Sequence, residues 1–454
     1  MQATLFDSPY YADRYSTPAM RAVFSDDARF ASWLAFEAAL ARAQASVGVI
    51  PMEAAEAITD AARLENLDTA AMAAEFERVG FPIVPLVRAL TAACDDAAGR
   101  HVHLGATTQD VLDTALVLQM RDAFALIEPE LDAVIAALVQ LARAHRDTPM
   151  AGRTFQQQAA PITFGYKVAG WLDEAMRHRA RLVGLRERLF TVQLGGAVGT
   201  LAALGSRGLA VRAALARELD LSEPDITWHT GRDAWAEAVF WLALVGGLLG
   251  RIGTEVAMLM RTELGEVREP FAPGRGTSSA MPQKRNPVAS SQIIAIATRL
   301  RWLVGQMMES QVQEHERGTA AIPVEAMVIP EAFLLASGAF RHARPMLEGL
   351  DVDTERMRAN MDLGGGLILS EAAMSGLVPH LGRAAAHRVV AAAAARAAGR
   401  NTDLGEELRA DPMVTAYLDA AAIAHLLDPV KATGSAGAMV DAVLERAAQA
   451  GFAG

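Results

Sequence analysis

The sequence predicts an all-α protein, and three observations carry that expectation. Alanine, the strongest helix former, dominates the 454 residues, and aromatic residues make up only 6%. Runs of β-branched residues are few. Apolar side chains recur at helical steps: from Leu112, the residues Leu116, Met120, Ala123, Ile127, Leu131, Val134, Leu138 and Leu141 follow every three or four positions.

Each element follows from such a stripe and its boundaries. The stripe from Leu112 to Leu141 predicts one long helix, which Pro129 should kink or break. Similar patterns predict helices over Thr163–Phe190, Asp233–Glu266, Pro287–Glu314 and Pro323–Arg344. Several long helices in one block imply a bundle. Within it, Ala234–Met260 is apolar nearly all round, so it needs neighbours on every side. Further copies of the chain would supply them, or the helix is central to its own monomer.

Glycine and proline clusters separate the helical blocks. Gly195-Gly196-Ala197-Val198-Gly199-Thr200 is read as a tight loop between helices. It lacks the preceding strand and the following Lys-Ser/Thr of a phosphate-cradling loop. Gly399-Arg400-Asn401 and Asp428-Pro429 mark turns around short helices near the end of the chain.

Composition excludes several classes. Forty-two basic against fifty-three acidic residues give a net charge of -11, which offers nothing to nucleic acid or to an anionic membrane. The single cysteine, Cys94, excludes an internal disulfide framework and a cysteine-based zinc cluster, and is read as a small buried hydrophobe. No secretory signal is visible at the N-terminus. The longest apolar stretch, Ala238–Gly250, is too short to span a bilayer, so a soluble cytoplasmic protein is expected.

The chemistry concentrates in Gly274-Arg275-Gly276-Thr277-Ser278-Ser279-Ala280-Met281-Pro282-Gln283-Lys284-Arg285-Asn286-Pro287. A hydroxyl-bearing, glycine-rich segment leads into cationic groups, and Pro287 suits the first position of a helix. Carboxylates are favoured at such a helix start, where unpaired N–H groups and the dipole attract anions.

This segment closely resembles the signature Gly-Ser-Ser-x-Met-Pro-x-Lys-x-Asn-Pro of the fumarase/aspartase superfamily, with Thr277 where the signature carries glycine. Gly105-Ala106-Thr107-Thr108-Gln109-Asp110 resembles the family's Gly-x-Thr-Ser-x-Asp block, with Thr108 in place of its serine. Trp228-His229-Thr230-Gly231-Arg232-Asp233 and Gln313-Glu314-His315-Glu316-Arg317 are similar to further family blocks in the expected order. The resemblance implies three helical domains, here 1–104, 105–345 and 346–454, with a central long-helix bundle. It further implies a homotetramer with a twenty-helix core and active sites shared between subunits.

It also implies a reaction. A base removes the proton beside a carboxylate, an aci-carboxylate carbanion forms, and a group leaves the β carbon. Ser278 is the implied base, and Lys284 and Asn286 the groups that hold the substrate carboxylate. A well-placed donor of this kind is worth about 3–4 kcal/mol of barrier. Thr107, Thr108 and Gln109 are implied to hold a second carboxylate, although plain N-capping also accounts for the threonines. His103 matches a family position near the ligand and is a second catalytic candidate. Arg153, Gln157 and Arg317 are further candidate substrate contacts, with salt bridges the competing account of both arginines. His229, beside Trp228, is read as structural. The substrate is then a small polycarboxylate, with no cofactor and no metal.

Two branches of the superfamily are distinguishable. Adenylosuccinate lyases share Asp13-Arg14-Tyr15-Ser16, but their two histidine segments are replaced here by Gly80–Val87 and by Gly152-Arg153-Thr154-Phe155-Gln156-Gln157-Gln158-Ala159. The chain more resembles 3-carboxy-cis,cis-muconate cycloisomerases, at Pro82–Leu86, Ala106–Asp110, Trp228-His229, Gln313–Arg317 and His425–Pro429. That branch implies lactonisation to 4-carboxymuconolactone. Departures from the branch at Phe155, Gln158, Ile322–Ala326 and Thr277 keep open a lyase that releases fumarate from an N-substituted aspartate or similar succinyl compound. A non-catalytic relative is the third alternative, and the intact Ser278, Lys284 and Asn286 stand against it.

Overall fold

Helices follow the alanine-rich stripes closely. The computed structural model describes residues 4–270, 281 and 283–452, and the chain is mostly helical. Helix α1 is Asp26–Ser46, opened by Ser25, whose Oγ accepts from the Ala28 N–H at 3.2 Å. Helix α2 is Thr108–Ala144 and α3 is Phe164–Leu189. Then come α4, Gly208–Leu219, and α5, Asp233–Leu259. The set ends with α6, Val288–Glu309, α7, Ala321–Glu348, α8, Ser370–Leu381, and α9, Arg383–Arg400.

Three expectations need correction. Helix α2 does not break at Pro129. A proline inside a helix costs about 3 kcal/mol, and here Phe124, Ile127 and Leu131, all essentially buried, hold the helix on either side of it. The chain also has strands. β1, Pro149–Thr154, and β2, Gln157–Thr163, form an antiparallel hairpin with a register shift at Gly152/Arg153. A two-residue pair, β3 (Val267–Arg268) and β4 (Asp351–Val352), follows. The hairpin lacks apolar–polar alternation, so period gave no signal. Its tip, Phe155-Gln156, holds φ of 48° and 65°, left-handed values that such a tight turn demands and that usually select Asn-Gly. Cys94, finally, is half-buried at the end of the helix Ile83–Ala93, where burial and then Asp95 push its thiol up.

Two compact units divide the chain. The first comprises Met1–Glu130, His178–Leu249 and Ala295–Arg341. Its core includes Trp33, Phe36, Leu40, Ile58, Leu86 and Leu215. A second group of rings, Phe124 with Trp241 at 5.6 Å and with Phe333 at 4.9 Å, packs edge to face. The other unit comprises Leu131–Arg177, Gly250–Ile294 and His342–Gly454, with a core around Leu377, Val390, Leu404, Leu408 and Val414.

Helix α5 is buried almost all round, at Trp235, Trp241, Leu242, Leu248, Ile252 and Val256, while Phe240 is 49% exposed. Helices α5 and α7 are long and apolar enough to cross a membrane, unlike the shorter stretch seen in the sequence. However, 61% and 56% of their apolar windows are buried within the fold.

Candidate active site

The first unit builds its site around the first turn of α2. Thr107 and Asp110 form a reciprocal cap: the Thr107 N–H donates to Asp110 Oδ2 and the Asp110 N–H donates to the Thr107 carbonyl, both at 2.9 Å. The same fully buried carboxylate accepts from the Gly195 and Gly196 N–H groups, each at 2.9 Å, and from His229 Nε2 at 2.7 Å. The glycine loop thus is a nest for an anion, and the anion is the chain's own Asp110. Gly195 is required there, because a Cβ would lie 2.5 Å from Thr227 Cγ2.

Gln109 is buried and committed at both ends of its amide. Oε1 accepts from Arg317 Nε at 2.7 Å, and Nε2 donates to the His229 carbonyl at 2.8 Å. It therefore orients Arg317, an exposed residue whose two Nη groups make no bond to other described residues. The loop carrying Arg317 is folded by its own side chains. Gln313 Oε1 accepts from the Gly318 N–H at 2.9 Å and Glu314 Oε2 from the Thr319 N–H at 3.0 Å, the latter bond holding the Glu314 carboxyl below its ordinary range. The Thr107 and Thr108 hydroxyls are half-buried and make no hydrogen bond to other described residues.

Two further groups support this corner. His103 Nδ1 lies 2.6 Å from Glu37 Oε1. Arg232, 1% exposed, bonds Asp113 with Nη1 (2.7 Å) and Nη2 (3.0 Å), and Glu325 with Nε (2.8 Å) and Nη2 (2.6 Å). Its guanidinium also lies 3.9 Å from the Trp235 ring centroid and 5.2 Å from that of Trp228. Burial lowers the pKa of Arg232, but Asp113 and Glu325 outweigh it and hold the group above its ordinary value. Glu325 is pushed up, by burial first and also by Asp113, against the pull of Arg232. Gln311 Nε2 donates to the Arg232 carbonyl at 3.0 Å, so the triad also anchors the segment that leads to Arg317.

The second unit holds the other candidates. Arg153 presents its fork to the fully buried Glu266, at 2.6 and 3.0 Å, and Asn360 Nδ2 donates to the same carboxylate at 2.8 Å. Gln157 is exposed on the hairpin. Lys284 is exposed, Asn286 is half-buried, and Ser278 lies outside the described residues. The start of α6 differs from the free anion site expected there. Glu269 caps it, accepting from the Ala289 N–H (3.0 Å), the Ser290 N–H (2.8 Å) and the Ser290 hydroxyl (2.8 Å). An internal carboxylate thus takes the Ala289 and Ser290 N–H groups at this helix start.

Sequence reasoning gave Glu37 and Glu269 no place, and gave Asp113 and Glu325 no role of their own. Asp110 carried a local signal, the Thr-x-x-Asp spacing of a capping box. The others are single carboxylates in helices or loops, joined to their partners only by folding.

A mostly helical chain with family blocks gathered at the start of α2 has the character of a lyase fold. The chain belongs to the fumarase/aspartase superfamily: residues 13–301 match the family described as lyase, and residues 366–443 the adenylosuccinate lyase C-terminus. It is 46% identical over 451 residues to the 3-carboxy-cis,cis-muconate cycloisomerase of Pseudomonas aeruginosa, covering 99% of this chain and 97% of the relative. Among solved structures, it resembles the 3-carboxy-cis,cis-muconate lactonizing enzyme of Pseudomonas putida with a TM-score of 0.90 and 43% identity, covering 97% of this chain and 99% of that one. A fumarate lyase from Mesorhizobium sp. BNC1 matches with a TM-score of 0.89 and 46% identity, over 95% and 98% of the two chains.

Proposed function

We propose that this protein lactonises 3-carboxy-cis,cis-muconate to 4-carboxymuconolactone. The full-length likeness to 3-carboxy-cis,cis-muconate cycloisomerases carries this reading, and Phe155, where the adenylosuccinate lyase pattern has a histidine, stands against adenylosuccinate lyase. A lyase that expels an amine needs an acid to protonate it. Ring closure has no leaving amine.

In this mechanism one substrate carboxylate oxygen bonds to the far carbon of a conjugated double bond. The displaced electron pair moves to the carbon beside another carboxylate, giving the aci-carboxylate carbanion. Lys284 and Asn286 spread that charge, and Arg317 with the Thr107 and Thr108 hydroxyls holds a second carboxylate. Ser278 delivers the proton that it would remove in the reverse direction. No metal or cofactor takes part, and the protein works in the cytoplasm.

The assembly is a homotetramer of three-domain protomers, with sites shared between subunits. Large apolar side chains exposed on the single chain support this: Phe240 on α5, Trp302 and Met308 on α6, and Met327 on α7. Sedimentation velocity tests it, and a monomer at micromolar concentration would refute it.

The relative that is a fumarate lyase favours a second reading, release of fumarate from a succinyl compound. Incubation of purified protein with 3-carboxy-cis,cis-muconate, adenylosuccinate and N-substituted aspartates separates the two. Loss of muconate absorbance alone supports lactonisation, and growth of fumarate alone supports the lyase. Ser278→Ala should abolish turnover while leaving the far-ultraviolet circular dichroism unchanged. A near-normal rate in that variant would remove Ser278 as the proton-transfer group.

A further inference from the structure

The buried face of α1 is mostly alanine and leucine, yet it carries two polar residues spaced seven apart. That spacing is two helical turns, so Glu37 and Gln44 share one face. Both grip the same short segment: Gln44 Nε2 donates to the Leu104 carbonyl at 2.6 Å, and Glu37 Oε1 lies 2.6 Å from His103 Nδ1. His103 holds a φ of 60°, a left-handed conformation that few non-glycine residues adopt. Its ring is therefore placed on Glu37 at a backbone cost.

Glu37 is 1% exposed, and its second oxygen, Oε2, is buried with no hydrogen-bond partner. An ionised carboxylate in that setting needs a cation beside it. His103 is the ionisable group bonded to it among the described residues. A carboxylate that accepts from Nδ1–H leaves Nε2 as the outward nitrogen on the far side of the ring, an acceptor in the neutral ring and a donor only in the imidazolium. His103 stands four residues before Thr107 and the first turn of α2.

We propose that Glu37 is a positioning residue that keeps His103 an imidazolium with Nε2–H offered to a substrate carboxylate. The proposal rests on the reading above only in taking the substrate to be a polycarboxylate. The charged groups that face the ring are Glu37 from α1 and Asp110 from α2, the latter already bonded to His229. Burial pulls His103 down, but the bond and charge of Glu37, with the charge of Asp110, outweigh it and leave the imidazole above its ordinary value.

Two measurements on the full-length protein test this, and neither requires turnover. In the first, histidine-labelled protein is titrated by NMR, with His103 assigned from His103→Gln. His103 should titrate above the ordinary histidine range, and Glu37→Gln should lower its proton affinity about tenfold. In the second, calorimetry follows binding of tricarballylate as a probe. At about pH 7.5, Glu37→Gln should bind it about tenfold more weakly than the natural protein, and Glu37→Asp should restore part of that loss. Near about pH 5.5, where both proteins carry the proton, the gap should close, whereas His103→Gln should stay weak at both pH values. The proposal is overturned if His103 titrates at or below the ordinary range in the natural protein, which can be read even where Glu37→Gln fails to fold. It is equally overturned if Glu37→Gln binds the probe as tightly as the natural protein at the higher pH. Absence of turnover on every substrate would count against lactonisation and leave both of these results intact.

Discussion

Replacing Arg232 by methionine should be among the most damaging single changes in the first unit. The guanidinium makes four hydrogen bonds to two buried carboxylates, those of Asp113 and Glu325. Arg232→Met leaves both carboxylates without their cation, and breaking a buried pair from one side costs about 3–5 kcal/mol. Loss of the stacking on Trp235 and Trp228 adds about 0.5–2 kcal/mol. Glu325→Gln should behave very differently. The triad carries one positive and two negative groups, so this change leaves Arg232 and Asp113 as a neutral pair and costs about 1 kcal/mol. Urea unfolding followed by circular dichroism and tryptophan emission gives both values. The pH dependence sharpens the test. Glu325 has a folded pKa raised above its unfolded value, so its contribution is complete below the unfolded pKa and is lost as pH rises through the folded one. The deficit of Glu325→Gln should therefore shrink or reverse as pH rises. That of Arg232→Met should shrink on acidification, as the stranded carboxylates take up protons. If Arg232→Met lies within about 1 kcal/mol of the natural protein, or Glu325→Gln is equally damaging, the account of the triad is wrong.

Arg317→Lys should raise KM about tenfold with a smaller change in kcat, because lysine cannot both accept orientation from Gln109 and present a fork to a carboxylate; steady-state kinetics on the turned-over acid reads this directly. Glu269→Ala should destabilise the start of α6 by about 1–2 kcal/mol, measured as a shift in the urea midpoint, since three hydrogen bonds to one carboxylate vanish. The double change Phe155→Asn with Gln156→Gly should stabilise the hairpin by about 1 kcal/mol in thermal melts, because both positions hold left-handed backbone; a lower melting temperature would contradict the turn.

The helices were legible because their signal is local. Apolar steps of three and four place α2, α3, α5, α6 and α7 to within a few residues at most ends, and α5 stops seven residues early where the chain turns into β3. The β1–β2 hairpin was not legible. Its residues, Met150-Ala151-Gly152-Arg153 and Gln158-Ala159-Ala160-Pro161, neither alternate nor favour strands, and pairing with each other decides their conformation. At the site, the block Thr107–Asp110 was visible as a unit, while the division of labour within it was not. Gln109 has the chemistry of a ligand and is instead used up between Arg317 and the His229 carbonyl. Arg153 similarly has the chemistry of a carboxylate receptor, and the fully buried Glu266 occupies its fork. Partners separated by more than a hundred residues, such as Arg153 and Glu266, leave no mark in local sequence.

The two helix starts that resemble anion sites share one further property. At α2 the carboxylate of Asp110 takes the Thr107, Gly195 and Gly196 N–H groups, and at α6 the carboxylate of Glu269 takes those of Ala289 and Ser290. An internal carboxylate thus stands at each helix start. For a polyanionic substrate approaching a chain of net charge -11, side-chain cations are a natural source of attraction. Arg317, with both Nη groups unengaged by other described residues, and the exposed Lys284 are suited to that role, whereas the guanidiniums of Arg153 and Arg232 are committed. Side-chain cations can be rearranged by the loops that carry them without uncapping a helix.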